Sequence, residues 1–93
     1  MSRTVLVLTL PTCGPCASVV RAYQRGGVPV WARDMTTDVE AAALARSLGY
    51  AGSPITVVLD EQGKVIEHFK DYRPDLINQV IRAHNSTRST AVP

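Results

Sequence analysis

Short hydrophobic runs, separated by polar and glycine-rich stretches, divide the first third of the chain into strand, helix and strand. Residues 4–10 are apolar or β-branched throughout, which predicts a central strand covered on both faces. Residues 17–25 predict a helix ending at Gly26-Gly27, because glycine readily adopts the left-handed conformation found at helix ends. Residues 28–33 predict a short strand, and Pro29 favours an edge position. Two strands joined by a helix predict a parallel βαβ unit.

The middle of the chain predicts a second helix that begins with a capping box. Thr37 is followed three residues later by Glu40, the pattern in which two side chains satisfy free backbone N–H groups at a helix start. We expect this helix to end at Gly49. Its predicted apolar stripe consists of Val39, Ala43, Leu44 and Leu48.

The last part of the chain predicts an antiparallel hairpin followed by a third helix. Residues 55–59 and 64–69 are strand-like runs on either side of a turn, and Pro74 suits the first position of the final helix. The order βαβ, α, ββα predicts an α/β fold, with one four-stranded mixed sheet and helices on both faces. We expect a single domain over residues 1–85 and a disordered tail over residues 86–93.

Composition and charge narrow the class of protein. A chain of 93 residues, 45% hydrophobic and 19% charged, is typical of one small soluble domain with a modest core. The formal net charge of +2 comes from scattered basic residues, so nucleic-acid binding is not expected. No signal peptide or membrane-spanning run is visible, and we therefore expect a cytoplasmic location. We also expect a monomer.

The candidate chemical site is Cys13-Gly14-Pro15-Cys16, between the first strand and the first helix. A helix start has free N–H groups and a partial positive charge, which favour a thiolate at Cys13, so Cys13 is the predicted nucleophile. Cys16, one turn later, is the predicted resolving thiol. Pro15 is acceptable in the first helical turn and, with Gly14, supports the loop that a disulfide would close.

A purely structural or zinc-binding role suits the cysteine pair less well. These are the only cysteines of the chain, and their loop is too short for a disulfide to stabilise the fold much. A zinc site needs about four ligands, and only His68 and His84 remain, without the spacing of zinc fingers. We predict no metal and no bound cofactor, only a redox-active Cys13–Cys16 disulfide. A non-enzymatic metal-binding or interaction module stays open as an alternative.

Three further stretches carry a family resemblance: Gly49-Tyr50, Ser53-Pro54 and YRPDLIN at residues 72–78. Residues 3–84 resemble the thioredoxin and glutaredoxin superfamily, and these stretches most resemble the NrdH-type redoxins, with their FRPD-[LM]-IN signature. The resemblance implies a thioredoxin-like fold and a cis peptide bond before Pro54. It also implies that Thr12, Ser53 and Pro54 bind substrate. Tyr50, Arg73 and Asp75 are candidate partner-binding or structural residues.

The resemblance also implies a function. It indicates a dithiol–disulfide oxidoreductase that receives electrons from thioredoxin reductase and reduces a protein client, with class Ib ribonucleotide reductase as the implied client. Glutaredoxins often have a basic residue where this chain has Leu10, and a glycine pair near Lys70-Asp71. Both departures disfavour glutathione as the reductant. A glutaredoxin that uses glutathione or another low-molecular-weight thiol is the alternative.

The chain also departs from thioredoxins in the strand before the motif, and several side chains outside the motif have predicted roles. Thioredoxins carry a buried aspartate in the strand before the motif, but no acidic residue precedes Cys13, so water or the nearby thiolate must deprotonate Cys16. Arg21 and Arg25 predict a solvated basic helix surface, with docking of an acidic partner as the alternative. Packing or solvated roles are predicted for Tyr23, Trp31, His68 and His84.

Overall fold

The computed structural model describes residues 3–90, with side chains described for residues 3–86. Within them the predicted order βαβ, α, ββα is confirmed. The elements are β1 (Thr4–Thr9), α1 (Gly14–Arg25), β2 (Val30–Asp34), α2 (Val39–Ser47), β3 (Ile55–Leu59), β4 (Val65–Lys70) and α3 (Pro74–Thr90).

The strands form one mixed sheet in the order β2-β1-β3-β4. β1 is parallel to β2, in the register Val5 to Val30, and antiparallel to β3, in the register Leu8 to Ile55. β3 and β4 form the antiparallel hairpin. The predicted mixed sheet is confirmed, and β2 lies at an edge, as Pro29 indicated.

Helices cover both faces of the sheet, as predicted. On one face, α1 and α3 pack over β1 and β3, where Val5, Val7, Val19, Tyr23 and Ile77 are among the core residues. On the other face, α2 packs over the opposite side of the same central strands, where Leu8, Ala41, Ala45, Ile55 and Val57 form the core. No described helix is long and apolar enough to cross a membrane.

The start of α2 differs from the predicted capping box. The N-cap residue is Asp38, whose Oδ1 accepts a hydrogen bond from the Ala41 amide at 3.0 Å. Thr37 instead donates its hydroxyl to the Asp34 carbonyl at 3.4 Å. The capping-box prediction was wrong because the chain makes a turn over residues 34–38 and a carboxylate caps the helix one residue later.

The buried face of α2 also differs from the predicted stripe. Val39 is 79% exposed, and Ala43 is exposed as well. Ala41 and Ala45 are buried instead, with Leu44 and Leu48 packed against them. Small residues therefore bring α2 close to the sheet, whereas the predicted stripe weighted large apolar residues.

The bounds of α1 and α3 also differ from those predicted. α1 begins at Gly14, three residues earlier than expected, and Gly27 follows its end with φ of 76°. α3 continues through Thr90, so residues 86–90 are helical where the sequence predicted a disordered tail. No glycine or proline interrupts that stretch. Residues 91–93 of the expected tail lie outside the described residues.

Candidate active site

The two cysteines lie at the amino end of α1, just beyond the carboxyl end of β1. The Cys13 amide donates a hydrogen bond to the Leu10 carbonyl at 3.1 Å, which closes the turn between strand and helix. Cys13 is the N-cap residue with extended backbone, and Cys16 lies in the first helical turn. Their Cα atoms are 5.5 Å apart, and their sulfurs form a disulfide. The sequence motif is therefore a closed redox pair.

The two halves of this disulfide differ in exposure. Cys13 is half-buried, whereas Cys16 is buried at 5% exposure among the core residues. Gly14 and Pro15 between them are exposed. Cys13 occupies the N-cap position and makes no side-chain capping hydrogen bond in this disulfide form. Reduction would place a thiolate at the positive end of the α1 dipole.

The loop before β3 contains the cis peptide bond that the family resemblance implies, between Ser53 and Pro54. Pro54 is fully buried, and its carbonyl accepts a hydrogen bond from the Asp71 amide at 2.8 Å. Since Leu8 pairs with Ile55, Pro54 lies at the same end of the sheet as the carboxyl end of β1. The cysteine turn and the proline loop therefore converge at one end of the sheet, as expected. Ser53 is half-buried and Thr12 is exposed.

Asp71 has a backbone conformation that the sequence did not predict. Its φ of 74° is in the left-handed region, where aspartate is one of the more tolerated non-glycine residues. This is about the place where glutaredoxins carry a glycine pair, and that correspondence was the available signal. The chain keeps a glycine-like backbone there while adding a side chain.

Tyr50 forms a pair with His68. The Tyr50 hydroxyl lies 2.8 Å from His68 Nδ1, and the two rings meet edge to face with centroids 5.5 Å apart. Tyr50 also lines a shallow groove with Leu10, Arg46 and Gly52. It is therefore near the end of β1 but in a different groove from the cysteines.

Arg73 and Asp75 contact each other at the start of α3. Arg73 Nη2 lies 3.2 Å from Asp75 Oδ2, and Arg73 Nε donates to Asp75 Oδ1 at 3.4 Å. The hydrogen bond from Arg73 lowers the pKa of the Asp75 carboxyl below its ordinary value. Both side chains are exposed. Of the two roles predicted for Arg73, this contact favours the structural one.

The core beneath the site contains few polar groups. Among the described residues, the buried polar side chains are Thr56 and His84, and no buried residue is an aspartate or glutamate. Tyr23 is fully buried in α1 and donates its hydroxyl to Thr56 Oγ1 at 3.1 Å. Burial raises the pKa of Tyr23 to about 12. No carboxylate in this described core is therefore available to deprotonate Cys16.

Both cysteines line an open, largely apolar groove of about 440 Å³ that the sequence did not predict. Its other walls include Leu10 at the end of β1 and Ala17, Val20 and Arg21 of α1. Leu10 was singled out only as the place of a basic residue in glutaredoxins, and Val20 falls outside the motif, so neither was expected to line a groove with the cysteines. Among the described residues, no group of three histidine, cysteine, aspartate or glutamate side chains is arranged to hold a metal ion.

Comparison with known proteins finds similarity to thioredoxin-like proteins. No family model matches the chain. The SPbeta prophage-derived thioredoxin-like protein YosR of Bacillus subtilis is 24% identical over 78 residues, which cover 84% of this chain and 94% of YosR. The glutaredoxin-like protein NrdH-redoxin from Escherichia coli superimposes with a TM-score of 0.65 and 25% identity, covering 82% of this chain and 92% of that one. This chain has the thioredoxin-like fold and is similar to members of the thioredoxin/glutaredoxin superfamily.

A thioredoxin shares the fold as well. Fasciola hepatica thioredoxin superimposes with a TM-score of 0.67 and 20% identity, over 89% of this chain and 81% of its own. With this thioredoxin-like fold and a linked cysteine pair, the protein is a thiol–disulfide oxidoreductase. Its fold indicates redox partners of two kinds, a reductase and disulfide-containing clients.

Proposed function

We propose that the protein is an NrdH-type protein disulfide reductase, in which Cys13 is the nucleophile and Cys16 the resolving thiol. The observation that carries this proposal is the unequal exposure of a disulfide at the amino end of α1, with Cys13 accessible and Cys16 buried. Likeness to NrdH-redoxin from Escherichia coli, described as glutaredoxin-like with a thioredoxin-like activity profile, supports the subfamily.

The reaction begins from the dithiol form. The Cys13 thiolate attacks one sulfur of a client disulfide, a new S–S bond forms, and the other client sulfur leaves as a thiolate that takes up a proton. Cys16 then loses its proton and attacks the Cys13 sulfur. This second step releases the other client thiol and restores the Cys13–Cys16 disulfide. Two electrons have moved to the client.

Burial of Cys16 restricts it to the second step. A client disulfide reaches the half-exposed Cys13 first, whereas Cys16 is one helical turn away and attacks within the same molecule. Because the described core holds no buried carboxylate, we assign the Cys16 proton to water in the open groove or to the departing client thiolate.

The proline loop supports a place for the client chain. Ser53 is half-buried beside the buried cis Pro54, at the end of the sheet where the cysteine turn also lies. We assign Thr12, Ser53 and Pro54 to client binding on this side of the disulfide. Tyr50 is a neighbouring groove residue, and Arg73 with Asp75 supports the start of α3.

The proposed electron donor is a flavoprotein thioredoxin reductase, and the proposed client is class Ib ribonucleotide reductase in the cytoplasm. Two features argue against glutathione as donor. Leu10 offers no cation beside the motif, and Asp71 places a side chain where glutathione would approach a glycine backbone. We further propose that residues 1–85 form one domain that acts as a monomer.

A coupled assay tests this function. Wild-type protein, thioredoxin reductase and insulin should consume NADPH and precipitate insulin, and Cys13→Ser should abolish both signals. The parallel reaction supplies glutathione and glutathione reductase instead. Turnover in that reaction alone would overturn the proposed donor, and full insulin reduction by Cys13→Ser would overturn the cysteine roles.

A further inference from the structure

The groove that contains the disulfide lies on the opposite side of β1 from the proline loop. β1 has β2 on one side and β3 on the other. Pro54 immediately precedes β3, whereas the groove is bounded by Leu10 and by Ala32 of β2. A client that reaches Cys13 therefore meets two surfaces, and the proposed function assigns a role only to the proline side.

The α1 side of the groove is formed by residues that follow Cys13 along one face of the helix. Cys13, Ala17 and Arg21 are spaced by four residues, which places them along one face of the helix, and all three line the groove. Val20 and Leu10 complete an apolar floor. Arg21 is thus the charged end of an otherwise apolar path that begins at the Cys13 sulfur.

Arg21 has no partner among the side chains that the structure describes. It is exposed, and it makes none of the ion pairs or hydrogen bonds found within residues 3–86. No acidic residue lines the groove, and α1 contains none. Asp34, two residues after Ala32, is outside the groove lining, and its Oδ1 accepts hydrogen bonds from the Thr36 amide and hydroxyl. The described groove therefore carries one uncompensated positive charge.

We propose that Arg21 determines client specificity by binding a carboxylate in the client segment next to the reacting disulfide. This inference rests on the proposed reductase function. An apolar client side chain packs on Leu10, Ala17 and Val20, and an aspartate or glutamate of the same segment pairs with Arg21. An arginine is suited to this because its planar guanidinium binds carboxylates with two parallel hydrogen bonds.

The spacing of the groove sets where the client carboxylate must be. Arg21 is eight positions after Cys13, the N-cap of α1, which corresponds to about 12 Å along the helix axis. Helical side chains lean towards the amino end, so the guanidinium reaches back towards Cys13. An extended client chain advances about 3.3 Å per residue, which places its carboxylate two to four residues from the reacting cysteine.

A protein segment fits this groove better than a small thiol does. Glutathione carries two carboxylates and an ammonium group, whereas the lining offers a single charged side chain and a mostly apolar surface. Such a lining binds a chain that supplies one acidic and one apolar residue.

The test uses peptides that each contain one intramolecular disulfide and a glutamate, glutamine or lysine three residues from the first cysteine. Second-order rate constants for their reduction are measured with reduced wild-type protein, Arg21→Gln and Arg25→Gln. Arg25 is the matched control because it is a further arginine of the same helix, outside the groove lining. Reduction of glutathione disulfide is measured in parallel.

We expect wild type to prefer the glutamate peptide over the glutamine peptide by about two- to fivefold, the size of an exposed ion pair, and to lose this preference at high salt. Arg21→Gln should bring the ratio of the glutamate-peptide rate to the glutamine-peptide rate close to one, whereas Arg25→Gln should keep the wild-type ratio.

Each contrary result has a distinct meaning. Equal rates for all peptides with wild type, or equal loss of preference in Arg21→Gln and Arg25→Gln, would overturn the role of Arg21 and leave the reductase function intact. A slower reaction of Arg21→Gln with glutathione disulfide alone would overturn it in favour of a small-thiol site. Failure of wild type to reduce any peptide would overturn both proposals.

Discussion

Replacing Gly26 by alanine should destabilise the fold at the contact between α1 and α3. A Cβ atom at Gly26 would lie 2.7 Å from Cγ2, 2.8 Å from Cδ1 and 2.9 Å from Cγ1 of Ile81. Two of these atoms are bonded directly to Cβ of a β-branched residue in a helix, so they move only if α3 shifts or the rotamer becomes strained. The Asn85 side chain, which donates to the Gly26 carbonyl at 3.4 Å, further fixes this approach.

The expected magnitude combines two opposing effects. Overpacking of this kind costs about 1–3 kcal/mol. The φ of −79° at Gly26 suits alanine. The substitution therefore also stabilises the protein by about 0.4–1 kcal/mol, because alanine lowers the conformational entropy of the unfolded chain. We therefore expect Gly26→Ala to lower the free energy of unfolding by about 1–2 kcal/mol, measured by urea denaturation.

Two further variants isolate the cause. Gly14→Ala is the control, because a Cβ there meets no atom within 4 Å apart from its chain neighbours, and it should lower stability less than Gly26→Ala does. In the double variant Gly26→Ala/Ile81→Ala, the collision disappears, so the combined loss should be smaller than the sum of the single losses by about 1 kcal/mol or more. A Gly26→Ala protein as stable as wild type would refute the close approach of α1 and α3.

Two more predictions concern single side chains, both followed by denaturant unfolding. Asp38→Ala should lower the free energy of unfolding by about 1 kcal/mol because it removes the N-cap of α2, whereas Thr37→Ala should lower it by less than about 0.5 kcal/mol. A larger loss in Thr37→Ala than in Asp38→Ala would indicate that Thr37 is the cap. The pKa of Tyr23 is raised to about 12 in the folded protein, so between pH 10 and 12 the folded state binds more protons than the unfolded state. Stability should therefore fall over that range in wild type and fall less in Tyr23→Phe, and equal pH dependence of the two would contradict the burial of this hydroxyl.

The elements and topology could be predicted because hydrophobic periodicity and helix-ending glycines are local signals. The parallel β1 and β2 pair, the hairpin and the edge position of β2 all follow from runs of a few residues. Cys13 and Cys16 were recognised for the same reason, since helix start and cysteine spacing are adjacent in sequence.

Features that depend on tertiary packing could not be predicted in the same way. Val39 fits an apolar stripe by type, but its position in the first turn of α2 leaves it 79% exposed, while Ala41 and Ala45 approach the sheet. Thr37 and Asp38 are both good N-cap residues, and only the turn at residues 34–38 selects Asp38. The groove joins Leu10, Ala32 and Arg21 from three parts of the chain, so it exists only once β2 and α1 are packed.

The assignment of Cys13 as nucleophile and Cys16 as resolving thiol is tested most directly by trapping the mixed disulfide. Reduced Cys16→Ser and Cys13→Ser proteins are mixed with a disulfide-containing peptide, quenched with acid, and analysed by intact mass and peptide mapping. We expect a stable adduct on Cys13 in the Cys16→Ser protein and little or none on Cys16 in the Cys13→Ser protein. An adduct that forms as fast on Cys16 would contradict the central claim that Cys13 attacks and Cys16 resolves.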